Sequence, residues 1–466
     1  MQSIARNNTA SRVYAAITTL GLGVGLVAAI GPGSALGKGA KAAAPQPPSF
    51  PCGGLNPIGV QLAPIPKYSN AEFTDQGADC AMWQTFIYLN WPAKAGQRGV
   101  PDTTAKFGAP GVTVWESFLT ADQVFLPNGA TPQPWDTSMA SAGVPDALQR
   151  TVSSGAMRVL THTSKVSPAV ARLRATLSTN GVTDIPLDEI EQADGNVLYD
   201  QQGNPVYYDI ALNKTQYDYI TKYQLYNADQ QATFAKTTNI VLPSGSIEVK
   251  AAWKVLTATE AASGRFHMAK GYVPAASGPG TVVPIGLVGL HVFASGGADN
   301  AGLWATFYQI DNAPLAGNTG TQAYSFYNPA STTPVNTKGT NPTQVVQVFP
   351  DDPQATAVNG NAKKIIIAGD AASPWQYYAM IDTQWSKTVL DLKTPVPLAV
   401  PVSPGKPGDI STATLINPVL ETFMQTQNNS CMGCHSYATT AQAKSTTAAG
   451  FSFMLGSATA PASNQR

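Results

Sequence analysis

Five residues near the C-terminus, Cys431-Met432-Gly433-Cys434-His435, constrain this chain more than any other stretch. With 4 Cys and 4 His in 466 residues, a Cys-x-x-Cys-His pattern arises by chance only roughly three times in ten thousand. The pattern therefore has a cause. Two thiols three positions apart, followed at once by an imidazole, fall together on one helical turn. The rest of the chain must then wall whatever they hold. Three chemistries use such a set: a covalently attached haem, a redox-active dithiol, or half of a zinc site.

The N-terminus bears on that choice. "MQSIARNN" carries Arg6, Arg12 adds a second charge, and residues 13–36 then hold no ionisable side chain except Tyr14. This reads as a secretory signal peptide, with small residues around Gly33 and Ala35, or Ala40 and Ala42, as cleavage positions. An uncleaved membrane anchor is the rival, because the run is long enough to span a bilayer. The glycines within it and Pro32 favour cleavage. No Arg-Arg pair is present, so the general secretory route is expected, delivering the chain to the periplasm or outside the cell with no membrane span after cleavage. "GLGVGL" within this segment follows no strand and has no acidic residue at the right distance, so it is not a dinucleotide loop.

Composition agrees with export. Only 12% of residues are charged and the net charge is zero, which gives no electrostatic footprint for nucleic acid. The 43% of hydrophobic residues can bury a large core, and 41 Gly with 36 Pro imply many turns rather than a helical bundle. Outside the motif the cysteines are Cys52 and Cys80. In an oxidising compartment a disulfide between them is expected, contributing about 3–4 kcal/mol by chain entropy. The alternative is two buried thiols.

The pattern along the chain divides into four segments: the signal peptide and lead-in (1–42), a mixed α/β N-terminal region (43–237), an antiparallel β-rich body (238–390) and a C-terminal haem-attachment segment (391–466). In the second, apolar Cys80, Trp83, Phe86, Ile87 and Trp91 recur at helical spacing before Pro92, and "TVWESFLTADQVF" repeats that logic briefly. "VLYDQQGNPVYYDIAL" predicts a hairpin turning at Gln-Gly-Asn, and "TQYDYITKYQLYNADQQATFAK" one or two helices. From about residue 238, "SIEVKAAWKV", "RFHMAKGYV", "PIGLVGLHVFAS" and "LWATFYQIDN" are short β-rich runs, with "KKIIIAG" and "WQYYAMIDTQW" as two further strand candidates. The fold class expected is α+β: an antiparallel sandwich or open barrel, an N-terminal helical region and a C-terminal helical segment. In that last segment Asn417 as N-cap and Pro418 at the first position start a helix that runs into the motif.

The three readings now separate. A redox dithiol expects a βαβ setting with the motif opening a helix, whereas here the motif follows a predicted helix. A structural zinc site needs a second ligand pair, and Cys52 with Cys80 lacks the close spacing. A haem needs two thiols for its two vinyl groups and an imidazole for its iron, attached outside the cytoplasm, where the signal peptide leads. One covalent haem c on Cys431 and Cys434, with His435 as the proximal iron ligand, is the expectation. For the distal position the candidates are His291 in the apolar run "GLVGLHVFAS", then His267, His162 and Met454, with a vacant or water-filled position standing equal to any of them. The bland reading of His291 is a hydrogen-bonded core histidine; that of Met454 is packing beside Phe451 and Phe453.

The chain also resembles a group of exported bacterial single-haem c-type cytochrome-family proteins. The resemblance rests on "WQTFIYLNWPA" (83–93), "RGVPD" (98–102), "VTVWESF" (112–118), "GSIEVKAAWKVL" (245–256), "GLVGLHVF" (286–293), "LWATFYQIDNAP" (303–314), "MIDTQW" (380–385) and "NPVLETFMQTQNNSCMGCHSYA" (417–438). It spans most of the mature chain and implies covalent haem and export, but brings no established substrate or reaction. His291 lies within one of these stretches; Met454 falls where relatives would carry a plain apolar residue. A looser, architectural likeness is to cytochrome P460 and β-sheet cytochrome c′, which also place the motif after a sheet body.

Two functions follow. The first is electron transfer to a redox partner protein. The second is a haem enzyme or small-ligand binder (peroxide, nitrogen oxide, carbon monoxide) with an open sixth iron position. Whether the chain is an enzyme stays open. A carrier needs only about one small domain, so the sheet body implies a further partner or ligand. No Ser-His-Asp order, metal cluster or phosphate loop competes with the motif.

Overall fold

The helix predicted around residues 77–91 forms as α1, Asp75–Leu89. The Thr74 side chain accepts from the Gly77 amide at 3.1 Å and so caps its first turn. Its apolar face is aromatic: Phe86 lies 4.3 Å and Trp83 5.2 Å from Phe307, centroid to centroid. This is a computed structural model. It describes residues 74–462 apart from 139–140, 142–143, 164–195, 276, 297–301, 387–410, 413, 426–429, 437, 443–444 and 446. The expected signal segment 1–42, its cleavage or anchoring, and Cys52 with the expected bridge lie outside the described residues. The described residues belong to one compact unit.

After α1 the helices are α2 (Ala121–Val124), α3 (Asp146–Ser153), α4 (Lys214–Lys222), α5 (Ala228–Ala235), α6 (Ala258–Ala262), α7 (Pro353–Gly369) and α8 (Cys431–His435). The strands are β1 (Leu119–Thr120), β2 (Met157–Val159), β3 (Tyr207–Leu212), β4 (Ile247–Val255), β5 (Met268–Val273), β6 (Thr281–Ala294), β7 (Leu303–Gln309) and β8 (Tyr378–Gln384). They build one curled, half-barrel sheet in an α+β fold, in the order β1-β3-β4-β6-β5-β2. All pairs are antiparallel except β2 with β5. The 14-residue β6 keeps β4 along one side. On its other side it pairs first with β5, through Thr281 to Gly286, and then with β7, through Gly289 to Ala294. β8 continues from β7 as the sheet edge.

A register shift between Ala252 and Trp253 inserts one extra residue of β6, Val288. A bulge of this kind inverts the alternation of every side chain beyond it. Ile285 and Leu287 before it, and Leu290, Val292 and Ala294 after it, therefore all enter the main core. His291 and Phe293 are turned to the opposite face. The run "PIGLVGLHVFA" looks uniformly apolar for this reason.

Three local expectations are corrected. "KKIIIAG" is the end of α7, not a strand: Asp352 caps the helix, Pro353 opens it, and Ala355, Val358, Ala362 and Ile366 bury one helical stripe. That stripe outweighs the β preference of three consecutive isoleucines. "TVWESFLTADQVF" forms a single 3-10 turn (Trp115–Ser117), the short β1 and the four-residue α2 rather than a helix. The predicted helix from Asn417 into the motif is interrupted. Asn417 Oδ1 accepts from the Val419 and Leu420 amides at 3.0 and 3.3 Å, but only a 3-10 turn (Thr422–Met424) follows before α8 starts afresh. Asn417 and Glu421 instead anchor this segment to the sheet, through Thr306, Phe307 and His291. The expected hairpin turn does form, with Tyr199 bridged to Pro205 and Gly203 in the left-handed region at φ 80°.

Candidate haem-attachment site

Cross-strand partners share a sheet face, and two rows on the face opposite the main core make the floor of the site. Lys250, His291 and Thr306 form one row across β4, β6 and β7. Glu248, Phe293, Trp304 and Gln384 form the next, reaching β8. The C-terminal segment covers them: Leu415, Cys431, Met432 and Phe451 pack with Phe293, Trp304 and Ile381.

Polar side chains fasten that cover. Asn417 Nδ2 donates to Thr306 Oγ1 at 2.8 Å and to the Phe307 carbonyl at 2.9 Å. Glu421 accepts the Asn417 amide at 2.9 Å and faces His291 Nε2 at 3.0 and 3.1 Å. Gln384 Oε1 accepts the Met432 amide at 2.7 Å, tying the motif helix itself to β8.

In α8 the Ser430 side chain accepts the Gly433 amide at 3.1 Å, so the helix begins at Cys431. Cys431 is buried, Cys434 half-buried, and the two are not bridged to each other. A motif that opens a helix removes one contrast with a redox dithiol. The thiol itself restores it. Burial pushes the Cys431 thiol well above its ordinary range, with the Glu421 carboxylate and Cys434 adding to the rise. A nucleophilic dithiol needs the opposite shift. A cysteine sulfur alkylated by a vinyl group carries no charge, so the same burial costs it nothing of that kind.

His435 is the best-defined part of the site. Its Nδ1 lies 2.8 Å from the Phe451 carbonyl, which as an acceptor requires the proton on Nδ1 and leaves the lone pair on Nε2. No described residue hydrogen-bonds Nε2. The ring is packed between Trp304 (4.6 Å) and Phe453 (5.0 Å). Burial pulls its pKa down to about 4, partly offset by the Phe451 carbonyl, with Lys250 and His291 lowering it further. At neutral pH it is therefore an uncharged imidazole, the form that ligates a metal. The carbonyl that orients it sits on a strained backbone. Phe451 has φ 64° and follows Gly450 at φ 58°, and a Cβ at Gly450 would meet the Ile240 carbonyl oxygen at 2.7 Å. A bulky residue held in the left-handed region is a marked outlier, of a sort that gathers at functional sites.

No protein-family model, curated protein or solved structure matches this chain. The site rests on its own geometry. Two sulfurs one turn apart, an oriented neutral imidazole and an aromatic wall fit a covalently held haem. They do not fit zinc: among the described residues only Asp79, Asp352 and Asp382 converge as a group of three metal-ligating side chains.

The other candidates divide cleanly. His291 is brought to the motif, with Nδ1 3.9 Å from Cys431 Sγ. Both of its nitrogens are engaged, since Nε2 faces Glu421. His267 is buried elsewhere, 3.1 Å from Glu116 and stacked at 4.6 Å on Trp375. His162 is exposed, 2.9 Å from Asp122. Met454 is buried in the main core. The residues that sequence reasoning did not single out are Phe451, Phe453, Trp304, Gln384, Glu421 and Lys250. Phe451 and Phe453 stood beside Met454 in "GFSFMLGSA"; alternate aromatics following a glycine were the available signal. Lys250, whose amine is driven downward in pKa mainly by burial, gave none.

Proposed function

We propose that this chain is an exported single-haem c-type cytochrome, with haem c bound covalently through Cys431 and Cys434 and its iron held by His435 Nε2. The observation that carries the reading is the tautomer of His435, with Nδ1 committed to the Phe451 carbonyl and Nε2 without a hydrogen-bond partner among the described residues, on the same helical turn as the two sulfurs. The resemblance to exported single-haem cytochrome-family proteins and the signal-like N-terminus agree with it. When bound, the haem supplies a one-electron iron couple. The protein's own part is to hold and tune. The Nδ1–H bond to a carbonyl raises the basicity of the ligating nitrogen. Trp304, Phe453 and Phe451 keep water from the proximal side. Asn417, Glu421 and Gln384 tie the motif segment to the sheet.

Electron transfer to a partner protein is the favoured activity. One observation favours the second reading, a ligand-binding or catalytic haem. For His291 to become the sixth ligand it must release one of its two present contacts, and if it does not, the sixth position is open to a small molecule. Absorption spectra of protein matured with haem-attachment machinery decide this. A low-spin spectrum indifferent to carbon monoxide, and altered by His291→Ala, supports the carrier with His291 as ligand. A high-spin spectrum that shifts with carbon monoxide supports the open site. Absence of covalent haem overturns both.

A further inference from the structure

Away from the motif, three elements bring carboxylates together at one point. Asp79 comes from α1, Asp352 from the N-cap of α7 and Asp382 from the edge strand β8, each with an oxygen within 4.8 Å of the others. One oxygen on each is already used. Asp79 Oδ1 accepts from Thr383 Oγ1 at 2.8 Å, Asp352 Oδ1 from the Gln354 and Ala355 amides at 2.7 and 3.3 Å, and Asp382 Oδ1 from the Thr383 amide at 2.7 Å. The remaining Asp79 oxygen is the telling one. Asp79 is 0% exposed, and its Oδ2 has no hydrogen-bond partner. A buried carboxylate oxygen with nothing to pair with is costly, and more so when charged.

The surroundings make it worse rather than better. The charged groups that act on Asp79 and Asp382 are all carboxylates, with Asp75 one turn earlier on α1 as the fourth. No lysine or arginine is among them. Burial first, and these neighbours next, push Asp79 up to about 7 and Asp382 up to about 8. A buried carboxylate beside half-buried carboxylates needs either a shared proton or a cation.

We propose that Asp79, Asp352 and Asp382 form a binding site for a hard divalent cation of calcium size. Calcium takes oxygen ligands at roughly 2.3–2.6 Å, so two ligands of one ion stand at most about 5 Å apart, and oxygens within 4.8 Å of one another meet that limit. Magnesium dehydrates reluctantly and demands near-ideal octahedral geometry, which carboxylates each already held by a cap or strand hydrogen bond suit less well than the flexible coordination of calcium. The ion would join α1, α7 and β8 at the sheet edge, and this site needs no haem.

The test uses the full haem-loaded protein, stripped of metal with a chelator, at pH 7.5. Calorimetric titration with calcium chloride should give one calcium per chain, with a rise in thermal midpoint. Asp352→Asn is the informative variant, because asparagine caps a helix as well as aspartate and the fold is retained. It should weaken calcium binding at least about tenfold. Terbium provides a second readout: its luminescence, sensitised by Trp83 one turn from Asp79, should be displaced by calcium. No calcium heat, no midpoint change and no calcium-displaceable terbium signal would overturn the site and leave carboxylates sharing protons. An equal response to magnesium would overturn the choice of cation.

Discussion

Two partly buried polar clusters lie on this sheet, and they are built on opposite principles. Beneath the motif, unlike groups meet: His291 faces Glu421, and Lys250 lies near enough to Glu421 for the carboxylate to act on its pKa. Where α1, α7 and β8 meet, only like groups do: Asp75, Asp79, Asp352 and Asp382. The first cluster supplies its own countercharge, so its polar groups serve to clamp the C-terminal segment over the sheet. In the second, the groups that act on Asp79 and Asp382 are carboxylates alone, and none of these described groups is a cation. Opposite charges mark a mechanical joint, and like charges mark a place for something from outside.

The sharpest way to break this comparison is to remove the motif sulfurs. Replacing both Cys431 and Cys434 by serine should abolish covalent haem entirely, read as loss of the haem mass increment and of haem staining on a denaturing gel, while the Asp79 cluster keeps its calcium response. If haem remains covalently attached, the site assignment fails. The next effect is one of pH. Glu248, buried on the floor row between Gln216 and Ser452, is pushed up to about 7 from 4.5, chiefly by burial. Folding therefore holds its proton between pH 4.5 and 7, where the unfolded chain has lost it. Its contribution is full below pH 4.5 and is lost as pH rises through 7, at a cost of about 3 kcal/mol. Glu248→Gln should thus be more stable than the parent at pH 8 and nearly equal to it at pH 4.5, by denaturant unfolding; an equal difference at both would contradict the assignment.

Smaller still is the clamp. Glu421→Gln leaves His291 and the Asn417 amide less well paired and should cost about 1–2 kcal/mol. A cycle with His291→Ala should find the two effects non-additive, and strict additivity would mean the pair does not act as a joint. The smallest change is a control on the acidic side. Gly360 lies within α7 with open space around its Cβ position. Gly360→Ala should stabilise by about 0.5–1 kcal/mol through helix propensity alone, without altering calcium binding. A loss of stability would argue against α7 being helical there.

α1 was legible from apolar residues at helical spacing with Pro92 beyond the end; its Thr74 cap, before the expected start at Gly77, emerged only in the structure. α7 was not, because Ile365, Ile366 and Ile367 read locally as a strand while the deciding Asp352-Pro353 start stands more than ten residues earlier. β6 was legible as a strand, but not the direction of its side chains. That depends on the Val288 bulge, which is specified by pairing with β4 and leaves no mark on the run itself. His291 on the floor of the site rather than in the main core is a consequence of this one residue.

By itself, the sequence determined the α+β class, most of the strands, and the five-residue motif on which the proposed haem site rests, because each is local chemistry: alternation, capping, and the spacing of Cys431, Cys434 and His435. The tertiary structure alone decided what surrounds them. Phe451 is 16 residues from His435, Glu421 is 130 from His291, and Asp79 is about 300 from Asp382. Contacts at such separations come from sheet register and from how the C-terminal segment and two helices are laid across it. No window of local residues carries that information.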